Sequence, residues 1–486
     1  MLRLLALALA VPAVLAAQAI PGPPAPPDAP LPTLTATASR PFGTLREQAA
    51  LQQRWLELRM ERILPALMRR YGVSMWVVPM REYNEDPVFK AITSPVTFAA
   101  RRRTIYVFFD RGADGIERIA LGGTSQGGVF KAVRSTKAVA SPAAGSKNQD
   151  RTAELWGDDQ WQVLKQVIAE RNPKNIALNI SRTFAFADGL TAGEYEGMRE
   201  ALGDPWVSRI TRAEGLAVDF IAARLPEEEP YFREMNRVIW EIIAEAFSER
   251  VITPGVTRTA DVEWWMRQKL HDLGIGTWFA VSVEVQRQLA PGLPLVGPNP
   301  VILEGDVLHT DFGMSVLGLN TDTQHMGYVL KPGETAVPAG IQAALVASNR
   351  MQDFVMEETR PGRTGNEVLG AALARMRAAK IDGTIYSHPI GLHGHGAGPL
   401  IGLWDYQDGV PGRGDHRVIP NMWFSVELQA SSPVPEWGGQ VVRSAQEEDM
   451  IVGADGQTRW AFGRQTSYHL VRPKRLPASE DALRGK

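Results

Sequence analysis

The chain has 486 residues, room for two or three domains at about 100–200 residues each. Its 52 lysines and arginines balance 54 aspartates and glutamates, which argues against a nucleic-acid binder with its usual basic excess. With no cysteine, it excludes disulfides, thiolate metal sites, iron–sulfur clusters and thiol catalysis.

Arg3 precedes an apolar run from Leu4 to Ala17, and Ala17-Gln18-Ala19 has the small-residue spacing of a cleavage site. Residues 1–19 read as a secretory signal peptide, since 14 apolar residues fall short of the ~20 a membrane helix needs. No later run stays apolar for 18 residues, so no membrane association is expected after signal removal. A periplasmic or secreted bacterial protein is the expectation. Residues 20–42 hold eight of the 34 prolines and are expected to form an extended linker that buries no core.

Helical apolar spacing then runs through residues 45–70, at Leu51, Trp55, Leu58, Ile63, Leu64 and Leu67. Residues 73–79 and 104–109 are β-rich, followed by a helix at about 158–170, a strand at 175–180, a helix at 192–202 and a short strand at 206–210. This alternation predicts an α/β domain over residues 43–211. The glycine-rich stretch 122–128 lacks the Gly-Lys-Ser/Thr ending of a phosphate loop and reads as a hairpin turn. A second domain is expected over 212–473, with a tail at 474–486. It opens with two helices, at about 228–250 and 259–274, and continues as strands and turns around a helix pair between 339 and 380.

Four segments of the second domain carry candidate chemistry. Val307-Leu308-His309-Thr310-Asp311 is an apolar strand that delivers a carboxylate, and Asp322 follows eleven residues later. Gly313 and Gly318 suit a hairpin that returns Asp322 beside Asp311. An Asp-Phe-Gly also marks protein kinases, but the HRD loop and glycine-rich loop of that family are missing. His388, His393 and His395 fall within eight residues, among glycines that let a backbone turn closely. Glu427 sits inside the apolar run 423–428, and Glu447-Glu448-Asp449 enters another. Buried carboxylates need partners or a metal. Two aspartates, a histidine and two glutamates suffice for a pair of divalent ions, which lower the pKa of water and stabilise an oxyanion. Oxygen-rich ligation with one imidazole suits manganese, cobalt, zinc or iron.

The ordered set Asp311, Asp322, histidine, Glu427, glutamate resembles the aminopeptidase P, prolidase and methionine aminopeptidase superfamily. The resemblance implies an α+β protein, with a pita-bread catalytic domain preceded by a smaller creatinase-like α/β domain. It further implies two divalent metal ions, a homodimer or higher oligomer, and hydrolysis of the peptide bond before proline by a hydroxide held between the metals. Carried over by residue, Asp311 binds one metal, Asp322 and Glu448 bridge both, and His395 and Glu427 bind the second, with Glu427 also moving the proton. Glu448 is preferred to Glu447 because the family has Glu-Asp before an apolar pair. His395 is preferred to His393 because Gly394-His395-Gly396-Ala397-Gly398 is similar to the family's Gly-His-Gly-Ile-Gly, leaving His393 and His388 to face the peptide. Two departures stand out. The family histidine upstream of the first aspartate is missing from residues 272–308, though His309 shares a strand face with Asp311. The family histidine seven residues after the metal histidine falls on Gly402 when counted from His395. The alternatives are a creatinase-like hydrolase of a non-peptide C–N bond and a non-enzymatic binding protein on the same fold.

Overall fold

A computed structural model describes residues 29–134 and 155–472, so the expected signal peptide and the tail lie outside the described residues. The first domain opens with α1 (Leu45–Leu58), which begins at a reciprocal Thr44/Glu47 capping box. A π-helical turn leads into α2 (Leu64–Arg70). Then come β1 (Met75–Arg81), α3 (Phe89–Ile92), β2 (Arg103–Asp110), β3 (Ile116–Leu121) and β4 (Lys131–Val133). The domain ends with α4 (Asp158–Arg171), β5 (Ile176–Leu178), α5 (Ala192–Leu202) and β6 (Ile210–Arg212). These strands form a six-stranded sheet in the order β4-β3-β2-β1-β5-β6. Trp76, Val78 and Met80 of β1 pack in one core while Met75 and Val77 pack in another. Burial on both faces explains why β1 reads as a continuous apolar run.

Three expectations change here. Residues 122–128 are not a hairpin turn, because β3 and β4 run parallel and the glycine-rich segment carries the chain back between them. Residues 207–209 form a 3₁₀ turn, and the strand starts at Ile210. The described part of the proline-rich segment does bury side chains: Phe42 is 2% exposed, and Leu31 and Leu34 pack against the second domain's core.

Helix α6 (Glu214–Ala222) joins the domains, followed by α7 (Glu229–Ala246) and α8 (Thr259–Asp272). Buried Asp219 on α6 accepts hydrogen bonds from the Tyr71 hydroxyl (2.6 Å) and from His416 Nε2 (2.7 Å), one from each domain. Buried Arg59 and Arg224 donate to the carbonyls at the carboxyl end of α6, where the helix dipole favours cations.

The strands of the second domain are β7 (Ser282–Gln286), β8 (Val307–Asp311), β9 (Ser315–Val316), β10 (Leu319–Asn320) and β11 (Gln324–Val329). Helices α9 (Ala339–Glu358) and α10 (Gly365–Ala378) follow, then β12 (Asp382–Ile385), β13 (His388–Ile390), β14 (Met422–Val434), β15 (Gln440–Val452), β16 (Thr458–Trp460) and β17 (His469–Val471). The main sheet has the path β12-β14-β15-β11-β8-β7, with β13 beside β14, β16 beside β15 and β17 beside β11. Phe424, Val426, Leu428 and Ala430 of β14 pack in one core with Met351, Phe354 and Met376 of α9 and α10. Period-two alternation then places Ser425, Glu427 and Gln429 on the opposite face, where the site lies.

Candidate metal centre

Strand register assembles the site. Asp311 on β8 lies opposite Gln324 on β11, Gln324 opposite Glu447 on β15, and Glu447 opposite Glu427 on β14. Directly opposed residues share a face, so four polar side chains form one row across four strands. The β9–β10 hairpin between Asp311 and Gln324 turns at Leu317 and Gly318, both at positive φ (58° and 71°), and brings Asp322 back to this row. His388 enters from β13, opposite Ser425, two residues before Glu427 on the same face.

The resulting clusters are Asp311/Asp322/Glu447, His388/Glu427/Glu447 and Asp322/His388/His395, with ligand atoms within 4.8 Å of one another in each. His388 Nε2 is 3.3 Å from Glu447 and 3.7 Å from Asp322, while its Nδ1 is 3.0 Å from the Pro389 carbonyl. Donation from Nδ1 to that carbonyl leaves the Nε2 lone pair facing the carboxylates, the tautomer a metal ligand needs.

Two sequence-based assignments are thereby corrected. Glu447, not Glu448, joins the centre, because adjacent strand residues point to opposite faces. Glu448 lies opposite Val426 and is held by Trp240 Nε1 (3.1 Å), His325 Nε2 (3.0 Å) and the Gln465 amide (2.8 Å). The histidine assignment moves to His388, which faces both Glu447 and Asp322 from within the sheet, with His395 beside it and Asp322 in one of the clusters. Counted from His388, the seven-residue step lands on His395. His395 is partly exposed beside the cluster, 4.8 Å from the His388 ring and 5.0 Å from the Trp278 ring between centroids. His393 instead packs on Phe186 of the first domain at 4.8 Å. Trp278 fits because Gly394 and Gly313 make room: a Cβ would stand 2.2 Å from its ring at the first and 2.7 Å from its Nε1 at the second. Asp311, Asp322 and Glu427 all stand in these clusters.

Gln324 and Asp449 take part without a sequence-based role, and His309 stands on the face it shares with Asp311. Gln324 Nε2 donates to Glu427 Oε1 and to Glu447 Oε2, both at 2.8 Å. Its Oε1 is 3.0 Å from His309 Nε2, and His309 Nδ1 is 3.6 Å from Glu284. Asp449 accepts from the Asp322 backbone amide at 3.4 Å. An alternating polar pattern in a strand is the signal for Gln324, but its partners depend on register. Gln324, His309, Asp311 and Glu427 open onto a cleft of about 710 Å³, walled by β7, the start of α8 and residues 296–300.

Burial, with Glu447 adding to it, pushes the Asp311 carboxyl up to about 7. The same two causes hold Asp322 and Glu427 well above the usual carboxylate range. Burial lowers His395 to about 4, helped by His388, and lowers His393 to about 4. Burial opposes the His309 imidazolium, yet the contact with Glu284 outweighs it and raises that ring. Asp311 Oδ1, Asp322 Oδ1, Glu447 Oε1 and His388 Nε2 are buried without a hydrogen-bond partner. Such atoms are costly unless something fills them. Three carboxylate oxygens and an imidazole nitrogen facing one another fit a divalent cation.

A model of metallopeptidase family M24 matches residues 231–453. No curated protein matches the sequence. Among solved structures, an X-Pro aminopeptidase from Thermotoga maritima is 17% identical with a TM-score of 0.54, covering 84% of this chain and 99% of that one. An Xaa-Pro dipeptidase from Bacillus anthracis is 18% identical with a TM-score of 0.52, covering 85% of this chain and 99% of that one. The N-terminal domain of the FACT complex subunit SPT16 from Cicer arietinum is 12% identical with a TM-score of 0.52, covering 86% of this chain and 97% of that one. At these identities the likeness establishes the fold.

Proposed function

We propose, from the match of residues 231–453 to metallopeptidase family M24, that this chain hydrolyses the peptide bond before proline in short peptides. The fold alone does not decide this, since one neighbour is named for a complex subunit and not for a peptidase. The observation that carries the proposal is the convergent set of unpartnered buried atoms on Asp311, Asp322, His388 and Glu447. A binding scaffold without metal would leave these groups uncompensated.

Asp311, Asp322, His388, Glu427 and Glu447 would hold the divalent ions. When bound, such ions lower the pKa of water and polarise a carbonyl. The remaining work falls to side chains. Glu427 stands at the edge of the cluster, with one carboxylate oxygen held by the Gln324 amide at 2.8 Å. Its other oxygen accepts a proton from the attacking water and returns it to the leaving nitrogen. His395, neutral at ordinary pH, donates a hydrogen bond to the carbonyl oxygen as charge develops there. Trp278 and Tyr386 flank His395, with ring centroids 5.0 and 6.1 Å from it, and offer an apolar wall to a pyrrolidine ring.

Removing metal with a chelator should abolish cleavage of an Xaa-Pro peptide, and adding back manganese or cobalt should restore it. Metal content of the parent and of Asp311→Ala is measured in parallel. Equal metal in both proteins, or cleavage that survives chelation, would sink the proposal. We also take the chain to be exported through residues 1–19. An envelope or culture-fluid protein still starting at Met1 would refute that.

A further inference from the structure

Gln324 sits in the middle of the acidic row and is 4% exposed, so its amide relies chiefly on protein partners. Its Nε2 carries two N–H groups, and both are committed, one to Glu427 and one to Glu447. The amide orientation is therefore not free. Turned over, its carbonyl oxygen would face two carboxylates and find no donor. In the observed orientation Oε1 needs a donor of its own, and His309 Nε2 stands 3.0 Å away. His309 is in turn 3.6 Å from Glu284, whose side chain is 71% exposed at the cleft. Hydrogen bonds thus run from His309 through Gln324 to the two carboxylates, with Glu284 close to the far side of the His309 ring.

The consequence falls on the oxygens that Gln324 does not touch. With Glu447 Oε2 tied to the amide, Oε1 is turned to His388 at 3.3 Å and has no hydrogen-bond partner. We propose that Gln324, oriented by His309, is the positioning residue of the metal centre, holding Glu427 and Glu447 in the rotamers that present their other oxygens to a cation. This rests on the metal-binding reading above. It also gives His309 a task that does not require it to touch metal or peptide.

The proposal is tested on the full mature chain by competition with a coloured chelator, using Mn²⁺ and Zn²⁺ alone as probes. Gln324→Leu should weaken metal binding by about 10–100-fold, the usual cost of losing a partner that orients a ligand. His309→Phe should weaken it by a smaller factor in the parent. In the Gln324→Leu background, His309→Phe should change affinity by less than about twofold, because two residues acting through one contact are not additive. Circular dichroism and melting of the metal-stripped proteins check folding. If Gln324→Leu does not fold, Gln324→Met, which keeps the length without the amide, carries the same expectation. Gln324 variants that bind within about twofold of the parent would overturn the proposal. So would a His309→Phe cost that is equal in both backgrounds, since the histidine would then act without the glutamine. If the parent itself takes up no divalent ion, the metal reading fails before any variant is compared.

Discussion

Glu427 on β14 and Glu447 on β15 stand directly opposite each other on one sheet face, with a single glutamine amide donating to both. Like charges in opposed positions destabilise a sheet. Such a pair is kept where a cation separates the charges, so stability and metal affinity pull in opposite directions here.

Glu447→Gln should therefore raise the melting temperature of the metal-stripped protein while abolishing tight metal binding. Glu448→Gln should do neither, because Glu448 faces Trp240 and His325 on the other side of β15. Calorimetry of stripped protein and metal analysis of loaded protein check both. Metal loss in Glu448→Gln with retention in Glu447→Gln would reverse the assignment.

The three histidines separate by what each loses. His388→Ala should lose bound metal. His395→Ala should keep its metal and lose activity, at roughly the 10²–10³-fold cost of removing an oxyanion donor. His393→Ala should keep metal and most activity, since the ring packs on Phe186. Metal content and kcat measured side by side distinguish the three.

The histidine and glutamate positions show where sequence reasoning stops. Asp311, Asp322 and Glu427 were legible because each stands alone as a carboxylate in an apolar strand or tight hairpin. Glu447 and Glu448 are neighbours of equal chemistry, and only the pairing of β15 with β14 says which faces the site. Glycine stands on both sides of His395, so the sequence alone does not separate His395 from His388. The backbone carbonyl that orients His388 leaves no mark in the sequence. The α/β order of the first domain was legible from periodicity, whereas the parallel β3–β4 pairing was not, since a turn composition does not state strand direction.

The pH dependence of the stripped protein follows from the raised carboxyls. A carboxyl whose folded pKa is raised contributes stability below its unfolded pKa and loses it as pH rises through the folded value. For Asp311 that window runs from the usual aspartate range to about 7. Asp311→Asn removes this term, so its melting temperature should exceed the parent's by an amount that grows to several degrees between pH 5 and pH 8. Buried His325 and His469, both lowered to about 3, act in the opposite sense below pH 6.5 but are common to both proteins. A gap that stays constant with pH would contradict the assignment.

Asp219 ties both domains to α6, and its removal strands two donors. Asp219→Ala leaves the Tyr71 hydroxyl and His416 without their acceptor and should cost about 1–3 kcal/mol or somewhat more. Denaturant unfolding of the stripped protein measures this, and an unchanged midpoint would show that the junction contributes nothing.

The first helix bears on how the molecule is built as a whole. Leu51, Trp55 and Leu58 of α1 lie in the same apolar core as Phe232, Met235 and Ile239 of α7. The two lobes are therefore not beads on a string. Cutting the chain between them leaves α7 without the surface that shields it, so the second lobe is half of a shared interior and not a detachable cassette.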